Sequence, residues 1–478
     1  MSIIIPANSA VGGGFAVDNS CRFDGSSSKL VKAESAGNRQ RWTYSVWLKR
    51  SAITTTTTTF FASSNGGTTY SYLGIQSDKI RWLDYDGGNN SNLITNAVFR
   101  DPSAWYHIVF VFNSNLGSGE TDKEERTKLY INGVRETSFG TAAYAGQNQD
   151  SGVNVNSSNF IIGSNQDQSS ASTWNGYMAE AHFIDGTAYQ ADSFGEFDSD
   201  SGVWKPIEVS GLTYGTNGFY LDFKDGDNLG NDANGGTDFT ESGLTAIDQT
   251  TDTPTNNFAT LNGVAKGAGS TFAEGNLKVT TTISNYNSSV ASIGVSSGKW
   301  YWEMKLGNSG GSGGVTNYSM YGITTNSPVY VPDLSQEAEK WTYLKIAYGG
   351  TMRYNETGGS YVQASYGSAN SGNDIVMMAL DLDNNFIYMG ANGSWYNSGN
   401  PTSGASGTGA APRALVAGNT YFPSFTTSYG TNLEVNFGNA PYAISSGNTD
   451  GNDRGNFEYA PPSGFLSLCT ANLSEVLG

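Results

Sequence analysis

Residues 42–51 read WTYSVWLKRS, in which Tyr44, Val46 and Leu48 alternate with polar residues. An alternation of period two predicts a β-strand with one buried face, and it places Trp47 on the opposite face. Similar short runs recur between clusters of Gly, Asn and Ser, at YSYLGIQ (70–76), IRWLDY (80–85), WYHIVFVFN (105–113), TKLYINGV (127–134), NFIIGS (159–164) and GYMAEAHFID (176–185). This spacing of strands and turns predicts a β-sandwich.

A second series of strands begins at KWYWEMKLG (299–307), where Trp300, Trp302 and Met304 share one face. The series continues at TYLKIAY (342–348), DIVMMALDLDNNFIYMG (374–390), TYFPSFTTS (420–428) and TNLEVNFGN (431–439). These strands supply enough inward-facing apolar residues for a second core. We therefore predict an all-β chain of two sandwiches, joined by an acidic Gly/Asn-rich connector over residues 191–274 in which GFYLDF (218–223) adds a strand.

The composition excludes several functional classes. The chain has 478 residues with 61 glycines and only 14% charged residues, which favours strands and turns over amphipathic helices. A net charge of −18 gives no basic surface for nucleic acid or anionic lipid. No run approaches the roughly 18–20 apolar residues of a membrane span, and the apolar run of residues 3–5 is too short for a signal peptide. We expect no nucleic-acid binding, no membrane insertion and no standard export, and we expect Cys21 and Cys469 to be buried or free thiols.

Short motifs in a fixed order carry a family resemblance. FDG (23–25), Trp-x-His (105–107), LY-x-NG (129–133), IG (162–163) and NGY-x-A (175–179) together resemble the laminin-G-like, or concanavalin A-like, lectin family over residues 22–190. SGKWYWE (297–303), LDLDNNFIYMGANG (380–393), FPSF (422–425) and VNFGN (435–439) resemble a SPRY domain over residues 275–466. The resemblance implies two concanavalin A-like jelly-roll β-sandwiches in tandem, whose loops bind glycans or protein segments.

The tandem order also resembles virion proteins of marine tailed bacteriophages, with DSFGEFDSDSGVWKP (192–206), TPTNNFATLN (253–262) and FEYAPPSGF (457–465) between and after the domains. This implies a tail fibre, spike or capsid decoration, made in the bacterial host cytoplasm and extracellular after release in the virion. The expected partners are other virion proteins and a host surface glycan or protein. We expect a homo-oligomer, specifically a trimer, because a displayed array of weak sites gains avidity. Residues 1–21 are predicted to be an anchor or a frayed tail, and residues 467–478 a C-terminal tail.

Two sets of residues are candidates for ligand binding. Three aromatic residues fall near predicted turns, where they would stack on sugar rings or simply cover a sandwich end: Trp174, Trp395 and Tyr396. Four clustered carboxylates carry the oxygen ligands that calcium prefers: Asp222, Asp225, Asp227 and Asp232. Their spacing departs from the EF-hand template, so a solvated acidic loop is favoured over a metal site. Calcium is the one cofactor left open.

A catalytic alternative rests on Glu196, Asp198 and Asp200, which are similar to the E-x-D-x-E strand of a concanavalin-like family of retaining glycosidases. Alternate residues of a strand lie about 6.6 Å apart, whereas retaining hydrolysis needs carboxyl groups about 5–5.5 Å apart. The third residue is also Asp rather than Glu, and His107 and His182 are expected to be core or rim residues. We therefore predict a binding protein and not an enzyme. The alternatives are a polysaccharide-degrading tailspike-type glycosidase and a purely architectural capsid or tail component.

Overall fold

The computed structural model describes residues 14–117, 119, 122–165, 172–281, 286–307, 319–325, 342–355, 361–428 and 430–477. Within these residues one compact unit ends at Asn256 and another begins at Asn257. Each unit is built from paired strands, and the predicted all-β class is confirmed. No helix in this described part of the chain has the length and apolar character to cross a membrane. The predicted anchor role falls largely on residues 1–13, which lie outside the described residues.

The strands of the first unit are short and joined by turns. They are β1 (Ser20–Asp24), β2 (Lys29–Ala33), β3 (Arg41–Arg50), β4 (Thr58–Ser64), β5 (Thr69–Gln76), β6 (Lys79–Asp86), β7 (Asn89–Thr95), β8 (Trp105–Asn113), β9 (Thr127–Ile131), β10 (Val134–Glu136), β11 (Phe139–Ala143), β12 (Asn159–Ile162), β13 (Asn175–Asp185), β14 (Gly195–Phe197), β15 (Trp204–Pro206), β16 (Phe219–Leu221), β17 (Thr240–Ser242) and β18 (Gln249–Thr250). A single helical turn, α1 (Lys123–Arg126), precedes β9.

Two antiparallel sheets form the first sandwich. Sheet A has the order β10-β9-β8-β3-β13-β1-β18, with β16 also pairing with β13, and sheet B has the order β11-β7-β6-β5-β4-β12-β2-β17. The core between them is rich in aromatic rings, and the ring of Trp42 lies 5.4 Å from those of both Trp82 and Phe110. Burial of each such ring contributes roughly 2–3 kcal/mol to stability.

Strand β3 is buried on both faces. Tyr44, Val46 and Leu48 point into the sandwich core, as the alternation predicts. Trp47 lies on the opposite face, also as predicted, but there it joins a second apolar cluster with Trp204 from the chain that follows β13. That later chain covers the outer face of sheet A. The prediction of a half-buried strand with an exposed polar face is therefore wrong.

The predicted connector over residues 191–274 is instead divided between the two units. Its residues up to 256 form β14 to β18 of the first unit, and the GFYLDF run contributes β16. Phe219 of this strand is fully buried in the first core. The acidic composition of this segment suggests an exposed connector, but some of its carboxylates form ion pairs with buried cations. Asp252, for example, lies 2.7 Å from Lys49.

The strands of the second unit follow Asn257. They are β19 (Leu261–Lys266), β20 (Ser270–Ala273), β21 (Lys278–Thr281), β22 (Asn287–Ala291), β23 (Lys299–Leu306), β24 (Met320–Thr324), β25 (Thr342–Ile346), β26 (Thr351–Asn355), β27 (Val362–Ser365), β28 (Ile375–Asp381), β29 (Phe386–Ala391), β30 (Ser394–Trp395), β31 (Phe422–Thr427), β32 (Asn432–Asn436) and β33 (Leu466–Ser467). The chain ends in helix α2 (Thr470–Leu477).

Sheet C has the order β19-β22-β31-β24-β25-β26-β27, and sheet D has the order β20-β21-β32-β23-β28-β29-β30, with β33 parallel to β23. Strand β23 carries the KWYWEMKLG motif, and its Trp300 and Trp302 are fully buried in the core. On the outer face of sheet D, Glu303 accepts the backbone N–H groups of Glu458 at 2.9 Å and Tyr459 at 2.7 Å. This carboxylate holds the later chain against the sheet.

The C-terminal segment is part of the second unit and not a tail. Leu468 and Cys469 are fully buried. Asp450 accepts the N–H of Ser467 at 2.7 Å and the side-chain amide of Asn472 at 2.8 Å, which joins β33 and α2 to a preceding loop. Both cysteines, Cys21 included, are buried free thiols, as predicted.

Candidate functional site

A pocket of about 510 Å³ opens beside the hairpin that joins β29 to β30. Asn392 and Gly393 form the turn with φ angles of 50° and 80°, which these two residue types tolerate. The hairpin ends in Trp395 and is followed by Tyr396, so two of the three predicted aromatic candidates line this pocket. Its polar lining comes from Ser368, Asn370, Asp374, Asn392, Ser394 and Asn397.

Asp374 is the charged group of the pocket, and its carboxylate is held in a fixed orientation. Its Oδ1 accepts the side-chain amide of Asn392 at 2.8 Å, and its Oδ2 accepts the N–H of Ser371 at 2.8 Å. Asn392 is itself fixed, because its Oδ1 accepts the N–H of Ile375 at 3.0 Å. A carboxylate has about four acceptor positions, so Asp374 retains capacity for a ligand.

Tyr396 forms a wall of the pocket. Its side chain is only 8% exposed. Its hydroxyl accepts the side-chain amide of Asn370 at 2.7 Å, and Asn370 Oδ1 accepts the hydroxyl of Tyr321 at 2.9 Å. The ring packs so closely on Gly367 that a Cβ there would lie 2.4 Å from Cγ of the ring. Tyr396 therefore shapes the pocket and does not offer an open stacking surface.

A buried lysine fixes the loop opposite the hairpin. Lys345 Nζ donates to the carbonyls of Ile346 at 2.8 Å, Gly349 at 2.5 Å and Ser368 at 3.0 Å. Burial lowers the pKa of Lys345 to about 8. The three carbonyls match the three donors of an ammonium group, so the cation is satisfied at neutral pH. This arrangement holds Ser368 in place at the rim of the pocket.

The pocket combines an apolar ring with oriented polar groups. Trp395 is half-buried and packs on one side against the apolar cluster outside sheet D. The carboxylate of Asp374 and the amides of Asn370, Asn392 and Asn397 surround the remaining space. Sites that bind small polar molecules pair a few fixed donors and acceptors with such an apolar surface. These groups suit a hydroxyl-rich ligand.

Trp174, the third aromatic candidate, is not available for stacking on sugars. It is 1% exposed in the first core, where it meets Phe60 edge-to-face at 5.7 Å. Proximity to a turn therefore does not distinguish an exposed ring from one that closes the end of a core.

The carboxylates considered for calcium do not converge into a ligand set; they are Asp222, Asp225, Asp227 and Asp232. Asp232 is 3% exposed and lies 3.0 Å from Lys32. Asp222 and Asp225 each accept the backbone N–H two residues further on, at 3.1 and 3.0 Å, and so close turns. Among the described residues, no three Asp, Glu, His or Cys side chains form a group that could hold a metal ion.

The two carboxylates considered for catalysis, Glu196 and Asp198, share one cation in the structure. Lys205 Nζ lies 3.3 Å from Glu196 Oε1 and 3.1 Å from Asp198 Oδ2, so one cation serves both carboxylates. Hydrogen bonds from the backbone and hydroxyl of Ser201 hold the pKa of Asp198 well below its usual range. A carboxyl group that stays ionised cannot act as a general acid, so Asp198 does not suit that role in glycoside hydrolysis.

His107 is buried, in agreement with the expectation of a core or rim residue, and it is neutral. Trp204 Nε1 donates to His107 Nδ1 at 2.9 Å, and an indole N–H can only donate. The ring proton therefore lies on Nε2, which donates to Ser45 Oγ at 2.8 Å. Burial, assisted by the neighbouring His182, lowers the pKa of His107 to about 3. His182 is also buried, with Nδ1 2.8 Å from the hydroxyl of Tyr214.

Two pocket residues, Asn370 and Asp374, lack a clear signal in the sequence. The Asn-Gly dipeptide at 392–393 is a hairpin signal, so the place of Asn392 in a turn could have been found. Its contact with Asp374 depends on the pairing of β28 with β29, which local sequence does not encode.

A family model matches part of the first unit. Residues 23–192 match the Laminin_G_3 family model, described as the concanavalin A-like lectin/glucanases superfamily. No curated protein sequence matches the chain.

The chain is similar to the SPRY domain of human HERC1, at 18% identity over 33% of this chain and 87% of that chain, with a TM-score of 0.25. It is also similar to domains LG4-5 of the mouse laminin alpha1 chain, at 10% identity over 91% and 93% of the two chains, with a TM-score of 0.29. A native heptameric SAP-like pentraxin from Limulus polyphemus shares 16% identity over 36% and 78%, with a TM-score of 0.28. Residues 23–192 are therefore the part of this chain that is similar to the concanavalin A-like family.

Proposed function

We propose that this chain is a non-enzymatic recognition protein that binds a saccharide in the Trp395 pocket of its second unit. The observation that carries the proposal is the half-buried indole of Trp395 beside the oriented carboxylate of Asp374 and the amides of Asn392 and Asn397. A sugar presents both hydroxyl groups and an apolar ring face, and this pocket offers a complement to each.

The biological setting is a further part of the proposal. The tandem order of the domains resembles virion proteins of marine tailed bacteriophages, which supports display on a virion as a tail fibre, spike or capsid decoration. In that setting the pocket attaches the particle to a host surface glycan or glycoprotein, and neighbouring virion proteins hold the chain. Several copies, as in a homotrimer, raise avidity because the second binding event becomes intramolecular.

The experiment measures retention of the labelled full chain on a glycan array and on host cells. Trp395→Ala removes the apolar surface, and Asp374→Asn removes the charge while keeping the shape of the side chain. We expect each change to weaken binding at least tenfold, because truncation of a central contact costs more than about 1.4 kcal/mol.

A matched control is Asp453→Asn, which removes an exposed carboxylate of the second unit that does not line the pocket. This variant should bind as the wild type does. The proposal fails if no glycan retains the full chain, or if both pocket variants bind as well as the control with unchanged circular dichroism.

A further inference from the structure

The outer face of sheet B carries side chains that point away from the sandwich core. Leu73 of β5 and Trp82 of β6 point into the core, so the residues that alternate with them point away from it. Four of these outward residues form what we call the tyrosine–arginine strip: Tyr70, Tyr72, Arg81 and Tyr85. The strip lies in the first unit, so it is separate from the Trp395 pocket.

The guanidinium of Arg81 is held in place by neutral groups. Its Nε donates to Asn92 Oδ1 at 3.1 Å, and its Nη1 donates to Gln76 Oε1 at 3.1 Å. Its central carbon lies 5.5 Å from the centre of the Tyr72 ring. Within the described residues Arg81 takes part in no ion pair. Since a guanidinium has five N–H donors, this half-buried cation keeps both its charge and donors for a ligand.

Two stacked rings extend the strip. Tyr70 and Tyr85 are directly opposed on neighbouring strands, and their ring centres lie 4.9 Å apart at an angle of 18°. Both side chains are half-buried, whereas Tyr72 is 7% exposed and acts as a support beneath Arg81. Tyr85 lies four residue steps along the strand from Arg81, a distance of about 13 Å. This length accommodates a short oligosaccharide.

We propose that the tyrosine–arginine strip binds an acidic saccharide, with a sugar carboxylate on Arg81 and a sugar ring against Tyr70 and Tyr85. The fixed guanidinium without an acidic partner is complementary to a carboxylate, which it can contact through two N–H groups. The tyrosine rings provide apolar contact area at a low cost in side-chain entropy.

Charge favours this ligand over a nucleic acid. The chain carries a net charge of −18. A nucleic-acid duplex carries one negative charge about every 1.7 Å along its axis, and a single fixed cation cannot offset this charge. A saccharide with spaced carboxylates brings fewer charges and also presents the apolar ring faces that the tyrosines require.

The test uses affinity electrophoresis of the full chain through gels that contain polygalacturonate, alginate, hyaluronate or polysialate. Matched gels contain the same polymers after reduction of their carboxyl groups. We expect at least one acidic polymer to retard the wild type and its reduced form not to do so. Arg81→Gln and Tyr85→Ala should each weaken that retardation at least tenfold. Arg353→Gln should not, although it removes a comparable arginine that lies 4.5 Å from the ring of Tyr361 in the second unit.

Two further measurements test whether the retardation comes from the pocket of the second unit and whether the loss in Arg81→Gln comes from misfolding. In a chain that already carries Trp395→Ala, Arg81→Gln should weaken retardation as much as it does in the wild type, which distinguishes this site from the pocket of the second unit. Unchanged circular dichroism of Arg81→Gln shows that the unit is folded, and Arg81→Lys should restore part of the binding. The proposal is overturned if no acidic polymer retards the chain or if reduced polymers retard it equally. It is also overturned if Arg81→Gln leaves retardation unaltered, or if an oligodeoxynucleotide binds the strip more tightly than every saccharide.

Discussion

At the scale of single residues, polar side chains that look functional in the sequence already have partners within the fold. His107 lies between Ser45 and Trp204, and Lys205 neutralises both Glu196 and Asp198. The contacts of His107 do not follow from local sequence, because tertiary packing brings its partners together, whereas Lys205 lies opposite Glu196 in the short β14–β15 hairpin. The sequence does predict that His107 is a core or rim residue, since it lies within the apolar run WYHIVFVF.

The buried His107 should make the first unit sensitive to acid. The unfolded chain takes up a proton below the ordinary histidine pKa of 6.5, whereas the folded chain takes it up only near pH 3. Stability from this residue is therefore present above pH 6.5 and lost as the pH falls towards 3, at about 1.4 kcal/mol per pH unit.

In His107→Gln the amide can still accept from Trp204 and donate to Ser45 but does not titrate. Between pH 6.5 and 5 the stability of the wild type should fall by roughly 2 kcal/mol more than that of the variant. Urea unfolding at several pH values measures this difference. Parallel pH profiles for the two proteins would show that His107 is protonated in the folded chain.

At the scale of strands, alternation identifies most of the elements but not which faces are covered. The run that became β3 was recognisable, yet both of its faces are buried, because residues after β13 return over sheet A. Likewise, β16, β17 and β18 pair with β13, β2 and β1 across long stretches of chain, and a loose acidic sequence gives no sign of this. The candidate site shows the same limit. Trp395 and Trp174 both lie near turns, but only Trp395 reaches a pocket.

The buried ion pair that attaches the end of the first unit to sheet A should be important for stability. Lys49 and Asp252 are both almost fully buried and lie 2.7 Å apart. Asp252→Asn leaves the cation of Lys49 without its acidic partner and should lower the free energy of unfolding by about 3–5 kcal/mol. The double variant Lys49→Met, Asp252→Asn should recover most of that loss. Chemical denaturation of the wild type, Asp252→Asn and the double variant measures the free energy of unfolding of each. A loss below about 1 kcal/mol for Asp252→Asn would exclude a structural role for the pair.

At the scale of the whole molecule, the chain consists of two sandwiches that meet in sequence at Asn256 and Asn257. The number and class of the domains followed from two series of strands, each with its own apolar face. The boundary did not follow, because residues 191–256 resemble a connector in composition and yet carry Phe219 and Trp204 into the first unit.

Truncation tests this boundary. Residues 1–256 should form a folded unit with cooperative unfolding, whereas residues 1–190 should not fold, because they lack Phe219 in the core and Trp204 over sheet A. Circular dichroism and thermal unfolding compare the two pieces. Equal stability of the shorter piece would restore the interpretation of 191–256 as a connector.

The central claim, that the chain recognises a saccharide at the Trp395 pocket, is tested most directly by fluorescence titration of the full chain with a glycan that it retains. Trp395 is half-buried in this pocket, so binding should change its emission. In Trp395→Phe the ring contact remains, and calorimetry should still detect binding, but the emission change should disappear. An emission change that persists in Trp395→Phe, or a bound glycan that produces none in the wild type, would contradict the account.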